Sequence, residues 1–291
     1  MKLEASSPIQ AAVATADSAF AQSQEIRVLR ARAGWRLLDL SRLWRYREML
    51  LFLAARDIKV RYRQSILGAL WAVIQPLGMM IVITLVRQML GVGGTNDPVL
   101  IFAGLLPWMF FAAALTSSTN SLVSNAGMLR KVYFPRLVLP LSAIGAPLVD
   151  LGVSLIVLCG LMAWYGTPLT ASLFLLPLII GSAMIASLGI GVLLSALTVR
   201  YRDFRHVVPF LVQVMFFLTP VMFIAADLPY PLRWMIGLNP IGGPIEAFRA
   251  AILGTEIDVA SWLLSTKVAA LCLIVGLMYF GRTEKRFADV V

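Results

Sequence analysis

The sequence predicts an all-α integral membrane protein with six transmembrane helices. Three observations carry that expectation. The 291 residues are 59% hydrophobic and only 14% charged, with a mean hydropathy of +0.84, whereas a soluble domain averages about 25% charge. Apolar runs recur at the length a helix needs to cross a bilayer core, about 20 residues. The basic residues gather between alternate runs.

Residues 1–41 read as a flexible cytoplasmic tail, and 42–291 as the membrane domain. Ala19-Phe20-Ala21 imitates a signal-peptidase site, but no apolar core precedes it and Pro8 and Asp17 interrupt the region. Residues 45–63 read as an amphipathic helix lying on the membrane surface. Leu51, Ala54, Ala55, Ile58 and Tyr62 share one face, and Arg56, Lys59 and Arg63 another. Asp57 and Arg61 have i,i+4 spacing. Arg56, Lys59, Arg61 and Arg63 suit lipid headgroups, or a phosphate-bearing lipid at a cytoplasmic entrance. Gly68 allows a sharp turn out of this helix. Pro76 frees a backbone carbonyl in the first span. Together they form a candidate hinge.

Six spans follow, near 66–90, 99–124, 139–164, 172–198, 207–224 and 262–280. Segment 225–261 is too polar and too broken by Pro229, Pro231, Pro240 and Pro244 to span. Its semi-apolar pieces, 231–238 and 244–253, suit short re-entrant or surface helices. With a cytoplasmic amino terminus, 21 of the 25 Lys and Arg lie inside, and Arg87, Arg233, Arg249 and Lys267 lie at or near the other side. That bias puts both termini in the cytoplasm. It also explains the net charge of +10 as topology and headgroup contact, so no nucleic-acid partner is expected.

Trp35, Trp44, Trp108, Trp164, Trp234 and Trp262 read as aromatic-belt anchors. Ala183, Ser187, Gly191 and Ser195 make a small-residue stripe on span 4, for packing inside the subunit or between subunits. Cys159 and Cys272 read as small buried hydrophobes, and His206 as an interfacial residue.

Motifs for chemistry are missing. No G-x-x-x-x-G-K-[ST] loop cradles ATP, and no zinc or nucleophile motif occurs. The chain is read as a non-enzyme with no cofactor and no metal of its own. Asp150 is the clear ionisable residue inside a span, for a transport pathway or for packing. The loop NAGMLRKVYFPRLVLP (125–140) reads as a short basic and aromatic helix stopped by Pro135, a shape for docking into a soluble protein.

The pieces RDIKVRYRQSILGALW (56–71), GLLPWMFF (104–111), SNAGMLRKVYFPRLVLPLS (124–142), ALTVRYRDF (196–204), TPVMF (219–223), LNPIGG with FR (238–249) and RFADVV (286–291) resemble, in order, the type-2 ABC export permeases for polysaccharides and polyol phosphates. The resemblance implies one half of a homodimer in the bacterial plasma membrane, served by two copies of a cytoplasmic ATPase that holds ATP and Mg. It implies a lipid-linked, O-antigen-like polysaccharide as cargo. Asn125, Met128, Arg130, Lys131, Tyr133, Phe134 and Arg136 would form the coupling helix and its flank. Segment 225–258 would form outer gate helices. Spans 1 and 5 would line the channel with Trp71, Gln75, Gln213, Phe216, Phe217 and Phe223, because sugar rings stack on aromatic faces and slide along them. Two alternatives are an exporter of a small hydrophobic drug or lipid, and an integral-membrane polyprenyl-phosphate transferase using Asp227, Glu246, Glu256 and Asp258.

Overall fold

The computed structural model describes residues 40–63, 68–91, 94, 97–201, 203–221, 223 and 229–284. The expectations for the tail 1–39, Trp35, Asp227 and the carboxy-terminal RFADVV lie outside these residues. Among the described residues the chain is helical and has no strand. Two described helices precede the first apolar run: α1 (Leu40–Arg45) and α2 (Arg47–Arg63).

α2 covers most of the stretch expected as the surface helix, but its buried edge differs from the expected one. Leu53 is buried, whereas Leu51 and Ala55 point outward. The cause lies in span 3. A Cβ on Gly145 would stand 2.9 Å from that of Ala54 and within reach of Ile58. Glycine there lets α2 lie against span 3 along the Ala54 and Ile58 edge. The expected Asp57–Arg61 pair does not form: Asp57 pairs with Arg56 at 2.8 Å and Arg61 with Asp150 at 2.8 Å. Asp150 is the less exposed carboxylate and the one that needs a counter-charge more.

A 3-10 turn, Gly68–Leu70, leads into α3 (Trp71–Met89). Gly68 has φ +45°, a left-handed conformation that favours glycine. α4 (Asp97–Ser124) is the central helix, with Phe102, Leu105, Phe111 and Leu115 fully buried. After α5 (Ala126–Lys131) and α6 (Val138–Ser142), α7 (Gly145–Tyr165) completes span 3 and ends at the left-handed Gly166. α8 (Leu176–Arg200) is span 4 and α9 (Phe204–Leu218) covers most of the expected span 5. α10 (Tyr230–Leu238) and α11 (Gly242–Leu253) fill the broken segment as expected, and α12 (Val259–Thr283) closes the chain.

Among the described residues, five stretches are long and apolar enough to cross a membrane: Trp71–Met89, Asp97–Ser124, Val138–Tyr165, Ala171–Arg200 and Val259–Thr283. α9 falls short because Pro220 disfavours helix at Thr219, which is extended at ψ 144°.

α8 is clasped between α4 and α12. Its stripe of Ala183, Ser187, Gly191 and Ser195 is buried within the subunit, Gly191 against Ser118 of α4. Gly189 and Gly276 bring the backbones of α8 and α12 together: a Cβ on Gly276 would stand 2.7 Å from the Gly189 carbonyl. Such small-residue seams are how membrane helices pack without a hydrophobic driving force. By contrast, α3 buries only Pro76, Met80, Ile83 and Thr84, and α9 only Val208. Both leave broad apolar faces uncovered by the rest of the subunit. Of the tryptophans, Trp44, Trp164 and Trp234 are exposed as anchors should be, but Trp108 and Trp262 are buried. The Trp262 indole donates to Ser182 Oγ at 3.0 Å, a partner a buried indole needs. Cys159 is exposed rather than buried, and Cys272 is intermediate.

Candidate functional site

Side chains of α2 knit together the ends of α4, α5 and α7. Arg56 donates to Asp57 at 2.8 Å and to Asn125 Oδ1 at 2.8 Å. Asn125 in turn donates to the Ser121 carbonyl at 2.8 Å. The residue that opens α5 is thus fixed to both α2 and the end of α4. Five residues further along α2, Arg61 and the Tyr62 hydroxyl both donate to Asp150 of α7. Burial first, and then the Asp150 carboxylate, push the Tyr62 hydroxyl up to about 12. Lys59 and Arg63 remain exposed along the helix.

The 125–136 loop divides into two layers. Lys131, Val132 and Tyr133 are exposed, Tyr133 at 70%. Phe134 is 4% exposed and joins Leu53, Leu129, Val138, Val199 and Phe280 in a second core under the loop. Met128 is half-buried at its edge. The Arg136 backbone N–H donates to Glu284 Oε1 at 3.1 Å and its guanidinium to the Glu284 carbonyl, tying the loop to the end of α12. Arg130 lies on α5.

The residues expected to line a channel separate into two groups. Trp71 and Gln75 are one turn apart on the uncovered face of α3, and Gln213 and Phe217 likewise on α9. Each pair sets an aromatic ring beside an amide on one outward strip. Phe216 turns inward, its ring 5.7 Å from Trp108 and 5.5 Å from Phe217. Phe223 is half-buried, and its carbonyl accepts from Arg249.

Arg249 is a buried ion-pair residue whose role sequence reasoning missed. It is 3% exposed. Its guanidinium donates to the carbonyls of Leu100, Pro220, Val221 and Phe223 at 2.9–3.3 Å and to Glu246 at 2.7 Å. Pro220 breaks the helix of span 5, and the carbonyls left without helical donors are taken up by this one cation. Gly104 makes room, since any Cβ there would collide with the guanidinium. Nearby, Arg87 pairs with Asp97 at 2.8 Å, both side chains well covered. Two of the four cations expected at or near the outer side, Arg87 and Arg249, therefore sit in internal ion pairs rather than as loop charges. The LNPIGG stretch is structural in the same way. Asn239 donates to Thr219 Oγ1 at 3.0 Å, and the Gly243 N–H donates to Ser265 Oγ at 3.0 Å.

Of the outer acids proposed for a transferase, Glu246 is held by Arg249 and Asp258 caps α12 through the Ser261 N–H at 3.1 Å. Among the described residues, no group of three or more His, Cys, Asp or Glu could hold a metal ion.

The sequence has counterparts among known proteins. The family model for ABC-2 type transporters matches residues 48–253, more than half of the chain. The chain belongs to the ABC-2 type transporter family. The permease is 29% identical over 246 residues to the O-antigen export system permease protein RfbA of Klebsiella pneumoniae, covering 84% of this chain and 95% of that protein. It is 29% identical over 260 residues to RfbA of Myxococcus xanthus, covering 86% and 97%. The polysialic acid transport protein KpsM of Escherichia coli is 26% identical over 212 residues, covering 68% and 78%. The permease is thus a homologue of O-antigen and capsule polysaccharide export permeases.

Proposed function

We propose that this permease is the membrane half of an ATP-driven exporter that moves a lipid-linked, O-antigen-like polysaccharide from the cytoplasm across the bacterial inner membrane. The observation that carries the reading is the extent of the similarity: it covers nearly the whole length of the O-antigen export permeases, 95% and 97% of them. Two permease copies would pair through the faces that α3 and α9 leave uncovered. The strips Trp71/Gln75 and Gln213/Phe217, with Phe216 and Phe223 behind them, would line the path, rings for sugar faces and amides for hydroxyls. α9 spans only about 22 Å at 1.5 Å per residue, and the chain to Phe223 would complete a sixth crossing, its carbonyls satisfied by Arg249. α10 and α11 would form the re-entrant outer gate. Both termini would be cytoplasmic.

ATP and Mg belong in this reading to two copies of a separate cytoplasmic ATPase. Its docking surface is α5 with the exposed Lys131, Val132 and Tyr133. Phe134 supports that surface from below and does not present itself to the partner. Deleting the chain in the bacterium that carries it should strip polymer from the cell surface and leave lipid-linked polymer inside. Re-expression should restore the surface polymer and copurify the ATPase. An unchanged surface polymer in the deletion strain would refute the assignment.

A further inference from the structure

Two side chains one helical turn apart on α7 grip the chain on either side of the Gly68 bend. Before the bend, Asp150 accepts from Arg61 at 2.8 Å and from the Tyr62 hydroxyl. After it, the Ser154 hydroxyl stands 2.9 Å from the Ala72 carbonyl and 2.9 Å from the Asp150 carbonyl of its own helix, its one proton shared between them. Ala72 stands four residues before Pro76, which has no N–H to give it, so Ser154 replaces a helical partner that proline removed.

The two grips differ in kind. Ser154 is buried, and opening its bond would leave a carbonyl without a donor in apolar surroundings. The Arg61 side chain is 45% exposed, so water can take over both partners as that ion pair opens. Tyr62, with its hydroxyl pushed up to about 12, keeps its proton throughout the physiological range. Titration of the phenol therefore does not open the contact in that range.

We propose that Asp150 is a releasable positioning residue of the transport cycle: Arg61 and Tyr62 leave it when the surface helix moves, while Ser154 keeps the first span seated on span 3. At rest the latch sets the angle between surface helix and first span, and release lets that angle change. The proposal rests on the reading of the chain as an ATP-driven export permease, but its spectroscopic test needs no cargo.

The test uses the full complex with its ATPase in nanodiscs, with Cys159→Ser and Cys272→Ser. Nitroxides at Lys59→Cys and Trp164→Cys report the distance from α2 to the far end of α7. A narrow distribution is expected without nucleotide, shifting when ATP binds. Asp150→Asn should broaden it without nucleotide, and the swap Arg61→Asp with Asp150→Arg should narrow it again. Arg61→Gln, on the more exposed partner, serves where Asp150 variants do not assemble. In a second arm, Arg61→Cys and Asp150→Cys are joined by a reducible linker of side-chain length. The joined complex should export at least tenfold less polymer than the same double variant after reduction. Asp150→Asn and Arg61→Gln distances equal to the parent's, or normal export by the joined complex, would overturn the proposal. If the cargo assignment is what fails, the parent exports no polymer, yet its label distances still respond to ATP and to Asp150.

Discussion

Arg56 on the surface helix donates at 2.8 Å to Asn125, 69 residues further along the chain. Asn125 precedes the proposed coupling helix, so a single guanidinium binds the element facing the ATPase to the element that leads into the first span. Arg56→Ala and Asn125→Ala should each loosen that joint by about 1 kcal/mol, the scale of a partly exposed charge-assisted bond. The measurement is ATP hydrolysed per polymer exported, which should rise in both. Asn125→Asp keeps an acceptor for Arg56 and should stay near the parent ratio. Equal ratios in all three would show that the bond transmits nothing.

Tyr133 and Phe134 are neighbours with opposite tasks. Phe134→Ala empties a buried site and should lower the stability of the purified permease by about 3 kcal/mol. Tyr133→Ala removes an exposed ring and should leave stability unchanged while weakening ATPase association several-fold. Thermal unfolding and copurification separate the two. Equal thermal shifts in both variants would contradict the two-layer description of the loop.

Arg249 offers the largest expected effect. Arg249→Ala leaves four carbonyls and Glu246 without their shared donor, and losing one member of a buried pair costs about 3–5 kcal/mol. Arg249→Lys presents a point charge where a planar fork is required and should recover only part of the loss. Gly104→Ala should resemble Arg249→Ala, because the added methyl displaces the guanidinium. Melting curves in detergent read all three, and a Gly104→Ala protein as stable as its parent would refute the clamp.

Tyr62 should ionise at about 12, above the ordinary 10. A tyrosine whose folded value is raised contributes stability that is fully present below about pH 10 and lost as pH rises through about 12. No export effect from Tyr62 is therefore expected between pH 6 and 8 (about neutral). Ultraviolet difference titration of the parent against Tyr62→Phe isolates this phenol, and Asp150→Asn should move it back toward 10. A parent phenol titrating at the ordinary value would contradict the contact.

Hydropathy alone located the helices well, because a long apolar run has few alternatives. The helices over 45–63, 231–238 and 244–253 were legible in the sequence, and the Gly191 stripe as a packing seam, though not which partner it packs against. What escaped was pairing between distant segments. Asp150 appeared to lack a basic partner because its partners, Arg61 and Tyr62, sit outside the spans. Arg249 looked like a loop charge, since nothing local shows that Gly104 and the broken end of span 5 make a socket for it. Trp108 and Trp262 fit the belt pattern by position, yet both face inward. One signal was available: Arg87 and Asp97 flank a single short loop, close enough to have been joined on paper.

The Gly189–Gly276 seam bears on how the protein is made. The middle of the fourth span rests, backbone to backbone, on a helix that the ribosome synthesises later. Until that helix has emerged, the groove stays open to lipid or to insertion factors. Nascent chains stalled before residue 276 should therefore be the ones that quality-control proteases remove.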